Sequence, residues 1–133
     1  MSEAPKHAHQ VLVVEDDPTG RYSITIALEK KDIDVIVAED GAEGLQWLKT
    51  HDFCAIVLDL VMPKVDGYAV IRHIVDNKPD LPIIVVTGLK ADELSGVDRR
   101  VVVDVLFKPF RAAELAARIL EICSKPAAEQ KNS

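Results

Sequence analysis

Four groups of reactive side chains each stand directly after a run of apolar residues. They are Glu15-Asp16-Asp17, Asp59, Thr87 and Lys108-Pro109. Neighbouring carboxylates repel each other and resist ionising together unless a cation joins them. Two carboxylates with water and phosphate oxygens are the usual ligands of Mg²⁺. If the four groups meet in space, they therefore predict a site for a divalent metal ion beside a phosphate group.

The remaining groups of this set suit phosphoryl transfer. Asp59 can attack phosphorus as a nucleophile and become an acyl phosphate. The ammonium of Lys108 would supply a mobile point charge for one phosphate oxygen, and the hydroxyl of Thr87 can donate to another. In-line transfer asks little of a protein beyond alignment and neutralisation of charge. A metal, a lysine and a hydroxyl together meet that need.

Such a site needs a scaffold that gathers the ends of distant segments. Five runs rich in Val, Ile and Leu precede or contain the strand ends: Val11–Val14, Val35–Ala38, Ala55–Leu58, Ile83–Val86 and Val101–Phe107. Continuously apolar runs are typical of parallel strands that are covered on both faces. Segments with helical spacing separate them, and the weakest is Ala91–Arg100, which is short and contains Gly96. The pattern predicts a doubly wound α/β fold whose ligand edge holds all four groups.

Length and charge narrow the class of protein. The 133 residues suit one domain, which we predict over residues 10–124, with disordered tails at 1–9 and 125–133. A net charge of −6 argues against binding to nucleic acid, which needs clustered Lys and Arg. No apolar stretch approaches the ~20 residues of a membrane span, and the start of the chain lacks a secretion signal. We expect a cytoplasmic protein without membrane insertion.

The two cysteines, Cys54 and Cys123, lie far apart in the sequence. One sits in an apolar run and the other near the end of a helical pattern. In a cytoplasmic chain this spacing favours two reduced thiols over a disulfide or a metal site.

Four segments resemble the signature segments of bacterial response-regulator receivers, of the chemotaxis-receiver type. They are Val11–Pro18, Leu58–Pro63 with Asp66-Gly67, Val86–Gly88 and Phe107–Phe110. The resemblance runs from about Gln10 to about Ser124. It implies a flavodoxin-like (βα)5 fold with a five-stranded parallel sheet in the order 2-1-3-4-5.

The resemblance also implies a role for each residue of the metal site. Asp59 becomes the phosphoacceptor. Glu15 and Asp16 become the acidic pair that holds Mg²⁺ or Mn²⁺ together with Asp59, and the backbone carbonyl of Val61 becomes a further ligand.

Beyond the metal, Thr87 and Lys108 become the pair that senses the phosphoryl group, and Lys108-Pro109 is expected to be a cis peptide bond. The resemblance implies a histidine kinase or phosphotransfer protein as donor and a downstream protein target. Such a receiver is no enzyme in the ordinary sense, although it catalyses its own phosphorylation and slow dephosphorylation.

Several positions depart from the receiver pattern. Val105 occupies the switch position where receivers usually carry an aromatic ring, so any switching would run through Thr87 and loop shifts. Val61 and Leu89 are apolar where a polar side chain would orient a hydrolytic water, which predicts a phosphoryl group that lasts. Val101-Val102 replaces the usual Gly-Ala before the last strand.

Four alternatives remain open beside the phosphoacceptor function. The chain can be a degenerate receiver that binds partners without phosphorylation, or the receiver portion of a larger sensor protein. A phosphatase of the haloacid dehalogenase type would need a second Asp where Val61 stands. A nucleotide- or flavin-binding protein would need a glycine-rich turn where the acidic run Glu15-Asp16-Asp17 follows the first strand.

Overall fold

The computed structural model describes residues 10–62, 66–94 and 96–123. Within these ranges the chain alternates strands and helices from end to end. In chain order the elements are β1 Gln10–Val14, α1 Pro18–Glu29, β2 Asp34–Ala38, α2 Gly41–Thr50, β3 Ala55–Asp59, α3 Gly67–Asn77, β4 Ile83–Thr87, β5 Val102–Phe107 and α4 Ala112–Cys123. Both predicted tails, the predicted domain end at Ser124 and the motif residue Pro63 lie outside the described residues.

The five strands form one parallel sheet in the order β2-β1-β3-β4-β5. This confirms the predicted order and the flavodoxin-like class. Strand order reverses beside β1, because the chain crosses first to one side of it and then to the other. The edge of the sheet at that reversal is where open α/β sheets bind ligands.

The helices cover both faces of the sheet. On one face, α2 and α3 pack Leu48, Val70 and Ile74 against the strands. On the other face, α1 and α4 do the same with side chains such as Leu28 and Ile119. The central strands β1, β3 and β4 are buried almost throughout, as their continuous apolar sequences predict. Each fully buried Leu or Ile contributes roughly 1.5–3 kcal/mol relative to exposure.

Three helices are capped by an aspartate that stands in the loop directly before their first residue. The side chains of Asp17, Asp40 and Asp66 accept hydrogen bonds from backbone N–H groups of the first turns of α1, α2 and α3. An Asp at this position satisfies an otherwise unpaired donor and stabilises a helix by about 1 kcal/mol. The caps fix the loops at the ligand edge of the sheet.

The connection between β4 and β5 differs from the (βα)5 prediction. Its described residues contain one 3-10 turn, Ala91–Glu93, and no α-helix. Gly96 adopts a positive φ of 97°, and the carboxylate of Asp98 accepts from the backbone N–H of Arg100. Both features compete with a helical backbone. The weak helix predicted over residues 91–100 is therefore wrong, and Val103 and Phe107 of the edge strand remain exposed.

The cysteine prediction is also wrong in this structure. Cys54, just before β3, and Cys123, at the end of α4, form a disulfide although they are 69 residues apart in sequence. Their Cα atoms are 5.4 Å apart, within the span that a disulfide bridges. The sequence did not indicate that the two cysteines would be close, because the fold brings together segments that are far apart in the chain. The bond joins the last helix to the start of the strand that ends in Asp59.

Gly67, the first residue of α3, lies directly against the end of β3. A Cβ atom there would be 2.6 Å from the Cα of Leu60 and 2.7 Å from the carbonyl oxygen of Asp59. Because both neighbours are backbone atoms, Gly67→Ala should lower the free energy of unfolding by about 1–3 kcal/mol in urea titrations. Gly88→Ala is the control, since a Cβ there meets nothing within 4 Å. Equal stability of the two variants would contradict the close approach.

Candidate functional site

Two carboxylates of the site stand side by side because their strands do. Val14 pairs with Leu58, so the next residues, Glu15 and Asp59, leave β1 and β3 at the same level of the sheet. Both are buried, with 1% and 4% of their surfaces exposed. Charged side chains are seldom buried this deeply without compensation. The sheet therefore forces two acidic groups into one enclosed place.

Asp16 completes an acidic trio. Glu15, Asp16 and Asp59 each offer a carboxylate oxygen, and these three oxygens lie within 4.8 Å of one another. Asp16 is the most exposed of the three. Asp17 lies outside this trio and caps α1 through the N–H of Gly20 at 3.0 Å. The structure thus brings together the acidic residues that the sequence singled out, and it gives Asp17 the capping role.

Lys108 reaches the trio from β5. Its backbone N–H donates to the carbonyl of Thr87 at 2.7 Å, which fixes the end of the strand. Its Nζ lies 3.1 Å from Asp59 Oδ2 and 3.0 Å from Glu15 Oε1. One ammonium therefore bridges both buried carboxylates. The peptide bond from Lys108 to Pro109 is cis.

The charges of the site shift each other's pKa values. Burial raises the pKa of Glu15 to about 7, and the negative charge of Asp59 adds to the rise, although the N–H of Asp17 and the ammonium of Lys108 oppose it. For Lys108 burial alone would lower the pKa, but the contacts with Glu15 and Asp59 outweigh it and raise the pKa. The lysine therefore stays charged, whereas Glu15 is only partly ionised near pH 7.

The acidic trio fits a divalent cation. Glu15 Oε1 is buried and, although Lys108 Nζ is close, no donor among the described residues makes a hydrogen bond to it. The nearby ammonium of Lys108 is shared between Glu15 and Asp59. A metal ion or a water of its coordination shell would satisfy this oxygen of Glu15. Oxygen donors of this kind are what Mg²⁺ and Mn²⁺ prefer.

Val61 and Thr87 lie at the same edge. The backbone N–H of Val61 donates to Asp59 Oδ1 at 3.1 Å, which orients that carboxylate, while the Val61 side chain is largely exposed. Thr87 ends β4 next to the partner of Asp59 in the sheet and is fully buried. Its Oγ1 accepts from the N–H of Leu89 at 3.1 Å. Val105 is half-buried against the core, where no ring is available to move.

The sequence reasoning missed Arg21. Its guanidinium lies against the loop between β1 and α1, where Nη1 donates to the carbonyl of Glu15 at 3.0 Å. A basic residue one turn inside a helix, directly after an acidic loop, is a signal that could have indicated this contact.

Comparisons with known proteins show the family to which the chain belongs. Residues 11–120 match the family described as the response regulator receiver domain. The response regulator MprA of Mycobacterium sp. (strain KMS) is 37% identical over 112 residues, which are 83% of this chain and 48% of that protein. The chain spans about half the length of the curated relatives it matches.

Solved structures show the same architecture. The receiver domain of the Francisella response regulator 1452 superposes with a TM-score of 0.78 at 31% identity, covering 86% of this chain and 95% of that one. The response regulator TrrA of Thermotoga maritima, solved in complex with Mg²⁺ and BeF, superposes with a TM-score of 0.75 at 26% identity, covering 85% and 97%. No helix in the described part of this chain is long and apolar enough to cross a membrane.

The raised pKa of Glu15 makes stability depend on pH. In the unfolded chain this carboxyl titrates near 4.5, and in the folded chain near 7. Its contribution to stability is therefore full below about pH 4.5 and is lost as the pH rises through 7. In metal-free urea titrations, the free energy of unfolding should fall over this window by up to about 1.4 kcal/mol per pH unit.

Glu15→Gln is the control, because it keeps the shape of the side chain and removes the titration. Its unfolding free energy should fall less than that of the native chain between pH 4.5 and 7.5. Parallel curves for the two proteins would show that Glu15 does not titrate in this range.

Proposed function

Because the chain belongs to the response regulator receiver family, we propose that it accepts a phosphoryl group on Asp59 from a histidine kinase or phosphotransfer protein. The observation that carries this proposal is the ammonium of Lys108, which lies within 3.1 Å of both Asp59 and Glu15. A nucleophilic carboxylate beside a cation and a metal-binding pair has what phosphoryl transfer requires.

Glu15, Asp16 and Asp59, with the backbone carbonyl of Val61, would hold Mg²⁺ or Mn²⁺. When bound, the metal would neutralise negative charge on the carboxylates and on the phosphoryl oxygens. The assignment is supported by the three carboxylate oxygens, which lie within 4.8 Å of one another.

In the transfer step Asp59 supplies the electrons. A bond forms between a carboxylate oxygen of Asp59 and phosphorus, and the bond from phosphorus to the donor nitrogen breaks. The N–H of Val61 holds Oδ1 of the same carboxylate and so limits its rotation. Lys108 Nζ donates to Oδ2 of this carboxylate at 3.1 Å and is close enough to follow the new charge onto a phosphoryl oxygen.

Thr87 is suited to respond to the new group. A hydroxyl has one donor hydrogen and two acceptor lone pairs. Because Oγ1 of Thr87 already accepts from Leu89, its hydrogen remains available to a phosphoryl oxygen. A charge of about −2 on Asp59 would then favour a conformation in which Thr87 and the connection after β4 shift together. Val105 has no ring to join that motion.

Two alternative functions have less support than the phosphoacceptor function. A degenerate receiver would not need the complete set of carboxylates, lysine and hydroxyl that the structure gathers. A phosphatase would need an acid where Val61 stands. The length of the relatives favours one addition to the main proposal, namely that the chain acts as the receiver portion of a longer regulator or sensor, with a downstream protein target.

The phosphoacceptor can be identified directly. Incubation with a small phosphoramidate or acyl phosphate and Mg²⁺ should add one phosphoryl group to the native chain, as measured by intact mass. Asp59→Asn should add none, because an amide is no nucleophile toward phosphorus. Asp104→Asn is the matched control, since Asp104 is a carboxylate of β5 that pairs with Arg118 instead, and it should still be modified. Phosphorylation of Asp59→Asn would refute the assignment.

The lifetime of the phosphoryl group is a separate prediction. Val61 is 58% exposed beside Asp59, so Val61→Asn loses little burial and adds a group that can orient water. Dephosphorylation, followed by mass after donor removal, should accelerate roughly 10-fold or more. Val103→Asn, at another exposed valine, should leave the rate unchanged. No acceleration in Val61→Asn would count against the apolar explanation of a long lifetime.

A further inference from the structure

Arg21 lies against the loop that carries two carboxylates of the site. Its Nη1 donates to the carbonyl of Glu15 at 3.0 Å and to the carbonyl of Asp16 at 3.4 Å. Its Nη2 lies 3.9 Å from a carboxylate oxygen of Glu39, just after β2. The Arg21 side chain is only 18% exposed. The guanidinium thus spans from the acidic loop to the neighbouring strand end.

The loop has few other restraints on its backbone. Glu15 donates its N–H to Ala38 at 3.1 Å, and its side chain accepts from the N–H of Asp17 at 3.1 Å. Glu15 and Asp16 lie between the end of β1 and the start of α1. Arg21 supplies donors to both of their carbonyls. Without it, the two carbonyls beside the metal-binding side chains would lose these donors.

We propose that Arg21 is a positioning residue for the divalent metal. By holding both carbonyls, it fixes the side chains of Glu15 and Asp16 at the metal edge before the ion binds. Groups that orient ligands in this way affect metal affinity although they never touch the ion. The inference rests on the proposed function, since it concerns the same site.

Positioning and simple charge make opposite predictions. A guanidinium near the site repels a cation, so charge alone predicts tighter metal binding when Arg21 is removed. Positioning predicts weaker binding. Arg21→Met removes the charge and both hydrogen bonds, whereas Arg21→Lys keeps the charge and replaces the planar fork with a single ammonium. The two variants therefore separate the effects.

The test is Mn²⁺ binding to the full chain, measured by electron paramagnetic resonance of the free ion and repeated with Mg²⁺ by calorimetry. Arg21→Met should raise the dissociation constant about 10-fold, and Arg21→Lys should raise it by a smaller factor. Arg72→Met is the matched control, because Arg72 is an exposed arginine of α3, and its affinity should equal that of the native chain. Affinity equal to or tighter than native in both Arg21 variants would overturn the proposal.

A kinetic readout separates positioning from general stability. The Mg²⁺ concentration for half-maximal phosphorylation by a small donor should rise with the dissociation constant, while the rate at saturating Mg²⁺ stays near native, because Asp59, Thr87 and Lys108 are unchanged. A merely structural role would lower the folded fraction and leave that midpoint in place, which would overturn the proposal. Should Arg21→Met fail to fold, Arg21→Lys carries both measurements. Failure of the native chain to bind metal or accept a phosphoryl group would instead refute the proposed function.

Discussion

The arrangement depends on one ion bridge. Lys108 places its ammonium within 3.1 Å of two buried carboxylates that stand at the ends of adjacent strands. Burying two like charges side by side is unfavourable, and the raised pKa of Glu15 reflects this cost. A single lysine offsets part of the repulsion, but its one positive charge faces three clustered carboxylates. The pocket is therefore stable enough to fold and still suited to bind further positive charge.

The parallel sheet explains why these groups meet. Adjacent strands β1 and β3 deliver the carboxylates, and β4 and β5 deliver the hydroxyl and the ammonium, all at their carboxyl ends. Asp17 and Asp66 cap the helices that follow, and Gly67 lets α3 begin against the backbone of Asp59. Arg21 secures the loop between β1 and α1 through the carbonyls of Glu15 and Asp16. The strand ends, the helix caps, Gly67 and Arg21 thus all position groups at the same edge of the sheet.

Much of this was predictable from the sequence, because apolar runs and strand-end residues are local signals. The parallel sheet and the meeting of Asp59 with Lys108 followed from them, whereas the strand order came from the resemblance to receivers. The disulfide between Cys54 and Cys123 did not, since a contact across 69 residues depends on how α4 packs back onto the sheet. The predicted helix after β4 failed because the positive φ of Gly96 and the local hydrogen bonds of Asp98 outweigh a weak apolar spacing. Arg21 was missed because its partners are backbone carbonyls, so that its only sequence signal was its place one turn inside α1, after the acidic loop.

The central claim is that the ammonium of Lys108, the acidic trio and Asp59 form one phosphoryl-binding pocket. A crystal structure of the native chain with Mg²⁺ and fluoroberyllate, a mimic of the acyl phosphate, tests it most directly. We expect the mimic on Asp59, the metal held by the acidic trio of Glu15, Asp16 and Asp59, and Lys108 in contact with a fluorine atom. A mimic bound to another residue, or Lys108 turned away from it, would contradict the account.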